Sequence, residues 1–246
     1  MIEKPKLVSS KNGLVVKNLR KSLSKKQIVR DVSLKLQRGK TIGLLGPNGA
    51  GKTTTFYAIA GIVKINSGKI LFQENEIHNL PIHKRANHGL AYLPQEPSLF
   101  SDLSVIENLN GISELSKQPN LMTVDEIIHT FNLKKIINKK GRELSGGQRR
   151  KTEIARTLIG SPKLLLLDEP FSGIDPIAID EIKDLLSHIK TMGISILITD
   201  HNVRETLKIC DMSYLMADGS IFLAGTKEEI VSNSLAKEKY LGSSFE

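Results

Sequence analysis

The chain has 246 residues, 39% of them hydrophobic, and 35 Lys and Arg against 26 Asp and Glu give it a net charge of +9. That length suits one large domain or two small ones with a real core, so disorder is not the expectation. The longest nearly apolar run, Phe56 to Val63, falls far short of the about 18 residues that span a bilayer, and Met1 to Ser10 has no apolar stretch of signal type.

Alternation over Leu14 to Leu19, and again at Val32, Leu34 and Leu36, predicts exposed-edge antiparallel strands. Thr41 to Leu45 reads as a short buried strand running into glycine. A helix follows a Gly-rich turn and stops near Gly61. Leu90 to Leu93, Leu164 to Leu167 and Ile194 to Thr199 read as further buried strands, with a helical pattern over Pro176 to Met192. Together they predict an α/β core with a parallel sheet. Between about Glu96 and Gly160 the pattern changes: Ser104 to Glu107 and Thr123 to Glu126 have capping-box spacing with no strand between them. This predicts an inserted helical subdomain. Asp218-Gly219 predicts a hairpin between Met212 to Ala217 and Ser220 to Ala224, and Thr226 to Glu229 caps a closing helix.

A single cysteine, Cys210, cannot form an internal disulfide, which points to the reducing cytoplasm. The positive charge would attract nucleic acid, an anionic leaflet or an acidic ligand, or simply be a solvated basic surface.

The segment Gly46-Pro47-Asn48-Gly49-Ala50-Gly51-Lys52-Thr53 has two glycines five apart followed by Lys and Thr, between a strand and a helix. Such a loop folds tightly enough for successive N–H groups to face phosphate oxygens, and the helix adds its positive end. Lys52 supplies a charge for the β- and γ-phosphates, Thr53 a hydroxyl for Mg²⁺, and Thr54 a contact to the α-phosphate. The cradle alone leaves GTPases, kinases and ATPases open. Asp168, closing a strand, is the candidate for a Mg²⁺-bound carboxylate, and Glu169 for orienting or deprotonating the water that attacks the γ-phosphate. Leu144-Ser145-Gly146-Gly147-Gln148 precedes a helix whose free N–H groups make a second anion site, which implies two ligands or one ligand shared between two subunits.

With that pentapeptide about twenty residues before Asp168-Glu169 and the cradle a hundred residues upstream, the chain resembles the ATP-binding cassette family from Leu14 to about Gly225. The resemblance implies a P-loop NTPase fold with a RecA-like parallel-sheet core, an antiparallel β subdomain and the helical subdomain at about 96–160 inserted in a single ATPase domain, 14–225. A helical extension, 226–246, would follow. It implies a homodimer with ATP and Mg²⁺, in which Ser145 and Gly147 of one copy close over the γ-phosphate held by the other. It further implies that Gln95 senses Mg²⁺ and the attacking water, that Asp175 communicates between sites, and that His201 is the switch at the γ-phosphate. Asp175 before Pro176 is also a good N-cap. Where the family stacks an aromatic ring on adenine, this chain has Leu23, which predicts a less specific hold on the base.

Within the family, Tyr92 to Phe100, Asp168 to Pro176 and Thr199 to Leu207 look most like the ATPases that power lipopolysaccharide export. Such a subunit would sit peripherally on the cytoplasmic face of the inner membrane, drive two permease subunits of the LptF/LptG type and touch neither lipid nor nucleic acid itself. Leu99 and Phe100 are the candidate anchors for the permeases, or core residues under their loop. An importer ATPase of the branched-chain amino acid type, a cytosolic cassette acting in translation or DNA repair, and an inactive nucleotide-dependent scaffold are the rival expectations.

Overall fold

The computed structural model describes residues 13–115 and 122–242, so the expectation for Met1 to Ser10 lies outside the described residues, as do 116–121 of the insert and 243–246 of the extension. Among the described residues ten strands form one sheet in the order β5-β4-β1-β2-β10-β9-β3-β8-β7-β6. Its first part is antiparallel: β1 (Gly13–Leu23) pairs with both β2 (Lys26–Gln37) and β4 (Ser67–Phe72), and β4 with the two-residue β5 (Asn75–Glu76). The predicted exposed edge is therefore wrong for β1 and β2. Alternation reports that one face is buried, and it is blind to whether a strand has neighbours on both sides. Asn18, at φ 47°, makes the register shift that returns Leu19 to the core after Val16.

The second part centres on β3 (Thr41–Leu45), flanked in parallel by β8 (Ser195–Thr199) and β9 (Met212–Ala217). Beyond β8 lie β7 (Leu164–Asp168) and β6 (Leu90–Leu93), also parallel. The hairpin at Asp218-Gly219 joins β9 to β10 (Ser220–Gly225), and β10 meets β2 through the single pair Ser220 with Asp31. The buried runs form strands because both faces are covered. On β7, Leu164 and Leu166 enter one core with α1 (Lys52–Ala60), while Leu165 and Leu167 enter a second core with α5 (Gly146–Leu158) and α6 (Pro176–Thr191). Each such leucine contributes about 1.5–3 kcal/mol on burial.

Between β6 and β7 the described residues form no strand, only helices and turns, with α3 (Val105–Leu115), α4 (Val124–Thr130) and α5 stacked on the second core. The capping boxes at Ser104 and Thr123 form as expected, Glu107 and Glu126 each accepting the backbone N–H of its cap residue at 2.7 Å. Neither β4, β5, α2 (Ile82–Asn87) nor α7 (Val203–Ile209) has a sequence signal of that strength. The chain closes with α8 (Lys227–Ser232), α9 (Ser234–Ala236) and a last turn, Lys237–Leu241. These pack Ile230, Ala236, Tyr240 and Leu241 against Leu45, Leu207 and Leu215.

Candidate functional site

The Gly-rich loop lies where β3 turns into α1. Gly46 has φ 151°, and a Cβ there would sit 2.0 Å from the Met216 carbonyl oxygen of β9, so no side chain fits. Gly51 is the N-cap of α1 and offers no side chain to the first N–H groups of that helix. Those donors, with the positive end of the helix, suit an anion. The Lys52 ammonium is buried and donates to the carbonyls of Gly46 at 2.8 Å and Pro47 at 3.1 Å. Burial pulls its pKa down, while Glu169, Asp168 and Asp200 pull it up. Thr53 is exposed and Thr54 half-buried at the start of the helix.

Asp168 closes β7 and is 2% exposed. Its Oδ2 accepts the Tyr92 hydroxyl at 3.3 Å, and burial drives its pKa up to about 6. Glu169 follows in the left-handed region at φ 46°, held there by its N–H donating to the Thr199 carbonyl at 2.7 Å. A non-glycine residue in that region costs about 1 kcal/mol, so the surroundings over-determine it. The turn aims the carboxylate at two residues from other strand ends. Gln95 donates its Nε2 to Glu169 Oε2 at 2.8 Å, and His201 Nδ1 lies 3.3 Å from the same oxygen.

Ser145 to Gln148 form a separate group. Ser145 caps α5, its Oγ accepting the Gln148 N–H at 3.3 Å and its own N–H donating to Gln148 Oε1 at 3.2 Å. Gly147 leans on α6, where a Cβ would stand 2.4 Å from the Ala178 Cβ, and a Cβ on Gly146 would stand 3.3 Å from the Gly173 carbonyl. Asp175 caps α6 by accepting the Ala178 N–H at 3.0 Å. Among the described residues no hydrogen bond joins Ser145–Gln148 to the Gly46–Thr54 loop.

Three residues outside the sequence expectations hold the site together. The buried Arg150 guanidinium donates to the carbonyls of Pro94, Asp168, Glu169 and Pro170 at 2.8–3.3 Å, and to Glu153 Oε2 at 3.3 Å. It thereby ties α5 to the backbones flanking Gln95 and Glu169. Asp200, fully buried, accepts the Phe171 N–H at 2.9 Å and the Asn202 N–H at 2.8 Å, which joins the loop after Glu169 to that of His201. Asn108 binds both the N–H and the carbonyl of Phe100, at 2.9 and 3.1 Å. Asp200 had one legible signal, a carboxylate at the end of a buried strand.

Leu99 and Phe100 part company. Leu99 packs on the second core, whereas Phe100 is 59% exposed beside a cavity of about 320 Å³, with the Arg156 guanidinium 5.9 Å from its ring centroid. Leu23, at the end of β1, is 43% exposed.

A Mg²⁺ ion fits these residues. Asp168 is a buried carboxylate whose Oδ2 accepts one neutral donor, the Tyr92 hydroxyl, so it keeps hard oxygen lone pairs for a divalent cation. Among the described residues no group of three or more His, Cys, Asp or Glu could form an all-protein metal site.

The family model described as ABC transporter matches residues 29–172. The lipopolysaccharide export system ATP-binding protein LptB of Haemophilus influenzae is 46% identical over 94% of this chain and 98% of its own length, and that of Escherichia coli K12 is 44% identical over the same shares. A nucleotide-free ATP-binding cassette from an ABC transporter superposes with a TM-score of 0.84 at 27% identity, over 94% of this chain and 99% of that one. The ADP conformation of MJ1267, another such cassette, gives the same score and identity, over 94% and 98%.

Proposed function

Because the chain belongs to the ABC transporter family as an ATP-binding, ATP-hydrolysing subunit, we propose that it powers the export of lipopolysaccharide through partner permeases. Identity of 44–46% along nearly the whole length of curated LptB proteins supports the cargo. In this reading a homodimer binds two ATP molecules and docks peripherally on the cytoplasmic side of the inner membrane, with two LptF/LptG-type permeases received near Phe100. No helix of the described residues is long and apolar enough to cross a membrane; in this reading the partner permeases supply the passage for lipid.

The observation that carries the chemistry is the meeting of Gln95 and His201 on one oxygen of Glu169. We assign Glu169 as the base that takes a proton from the attacking water. Gln95 orients that water, and His201 contacts the γ-phosphate. The loop from Gly46 to Thr54 grips the phosphates, with Lys52 released from the Gly46 and Pro47 carbonyls to the more negative oxygens. Thr53, Gln95 and Asp168 would hold Mg²⁺, which spreads the charge of the β- and γ-phosphates. Among the described residues Ser145, Gly146, Gly147 and Gln148 make no hydrogen bond to the cradle of their own copy; in this reading their anion-binding helix end serves the partner's nucleotide, and Asp175 beside them links the two sites. Closure around ATP moves the permeases, and cleavage of the γ-phosphate reopens the dimer.

Glu169→Gln tests the chemistry. It should retain ATP, accumulate dimers and lose turnover by about 100-fold or more, measured by phosphate release and by size-exclusion chromatography with ATP. Turnover near the unsubstituted rate would remove Glu169 from the base role. Purification from membranes tests the cargo: co-purifying permeases that bind no lipopolysaccharide would overturn it.

A further inference from the structure

The buried hydroxyls of Thr55, Thr152 and Thr206 each donate to the carbonyl four residues back, at 2.8–2.9 Å. Thr199 closes a strand, where the carbonyl four residues back is about 13 Å away. It is 1% exposed, and its Oγ1 has no hydrogen-bond partner among the described residues. Such a hydroxyl is costly to bury, so it calls for a partner from outside the fold. Alternation along β8 shows where it faces. Leu197 lies in the core shared with α1, and Ile196 and Ile198 lie in the opposite one, so Thr199 faces the α1 side. Asp168 follows Leu164 and Leu166 on that same face, and it pairs directly with Thr199 across β7 and β8. On the other side of β8, β3 pairs Gly43 with Ile198 and runs on into Gly46 and the cradle. The Thr199 hydroxyl thus stands between Asp168 and the strand that feeds the phosphate loop.

We propose that Thr199 is a positioning residue for Mg²⁺: its hydroxyl accepts a hydrogen bond from a water of the ion's shell and so helps Asp168 to hold the ion. The inference rests on the reading of Asp168 as the carboxylate for Mg²⁺. Magnesium dehydrates reluctantly and usually keeps several waters, each of which needs an acceptor once it is enclosed by protein. A hydroxyl oxygen offers that acceptor, and a methyl group in its place does not. The same residue already steers the base, since its carbonyl accepts the Glu169 N–H at 2.7 Å. One strand end therefore serves the metal with its side chain and the base with its backbone.

Thr199→Val keeps the shape and removes the hydroxyl, while Thr199→Ser keeps the hydroxyl. The ATP affinity of the full chain is measured by equilibrium titration with Mg²⁺ and again with the metal chelated, beside thermal unfolding without nucleotide. Thr199→Val should lose about three- to tenfold in ATP affinity with Mg²⁺, the worth of one hydrogen bond, and nothing without it. Thr199→Ser should stay within about twofold of the unsubstituted chain. Without nucleotide, the Tm of Thr199→Val should equal or exceed that of the unsubstituted chain, because no bond within the fold is lost. Equal losses of affinity with and without Mg²⁺, or no loss in either, would overturn the proposal. So would a fall in Tm with the magnesium response intact, which would assign the hydroxyl to a buried structural water. Asp168→Asn separates the two layers: if adding Mg²⁺ still raises its ATP affinity in full, the reading of the metal site fails and the proposal with it. A response lost in Asp168→Asn but kept in Thr199→Val overturns the proposal alone.

Discussion

Asp168 lets the electrostatics of the nucleotide site be measured without nucleotide. Its ordinary pKa of 3.8 rises to about 6 because burial removes water from the carboxylate, and Glu169 adds repulsion; the Tyr92 hydroxyl, Arg150 and Lys52 pull the other way. The folded value lies above the unfolded one. Stability from this group is therefore fully present below about pH 4 and is lost as the pH rises through 6. The difference between 3.8 and about 6 amounts to about 3 kcal/mol at pH 8. Asp168→Asn removes the charge at almost constant volume and keeps an oxygen for Tyr92. Without nucleotide or divalent cations, the variant should exceed the unsubstituted chain in Tm by up to about 6–12 °C at pH 8, taking about 2–4 °C per kcal/mol for a chain of this size. The gap should close towards pH 4. Differential scanning calorimetry of both proteins from pH 4 to 8 reads it directly. A gap that stays flat with pH, or an Asn variant less stable at pH 8, would refute the argument that burial destabilises the ionised Asp168 carboxylate.

The Arg150 and Glu153 pair makes a second test. Arg150→Met should cost about 3–5 kcal/mol by leaving Glu153 buried without its partner, and Arg150→Met with Glu153→Leu should recover much of that stability but not the turnover, because Gln95 and Glu169 lose their common anchor. Thermal unfolding and ATPase assays on the single and double variants separate the two effects. Phe100→Ala should change Tm by less than about 2 °C, since the ring is 59% exposed, while reducing recovery of permeases in pull-downs from membranes.

Much of the scaffold was legible because the signals were local. β3, β6, β7 and β8 are apolar runs, β3 running into Gly46, β6 into Pro94, β7 ending at Asp168 and β8 running into Asp200, and Thr123, Ser145, Asp175 and Thr226 each cap a helix with their own side chain. The parts that escaped depend on what distant segments supply. Arg150 sits on a helix face that reads as solvated, and only the carbonyls arriving from the ends of β6 and β7 make it an interior residue. Likewise Arg85, buried on α2, donates to the carbonyls of Ala58 and Ile59 at 2.6 Å and so closes the C-terminal end of α1. No periodicity marks either. The left-handed turn at Glu169 is invisible for a different reason: a glutamate has no local preference for φ 46°, and the Thr199 carbonyl imposes it across the sheet. At Leu99 and Phe100 the sequence offered two adjacent apolar residues with two readings, and the fold divides them, one to the core and one to the surface.

The contact between Gly147 and Ala178 has a consequence for how this protein can vary. A methyl group at position 147 would overlap the one already at 178, so the two positions share a single methyl's worth of room. Gly147→Ala alone should pry α5 from α6, and Ala178→Gly should give the space back. Drift at these sites is thus coupled in its effect on packing: the exchanged pair should cost less stability than Gly147→Ala alone.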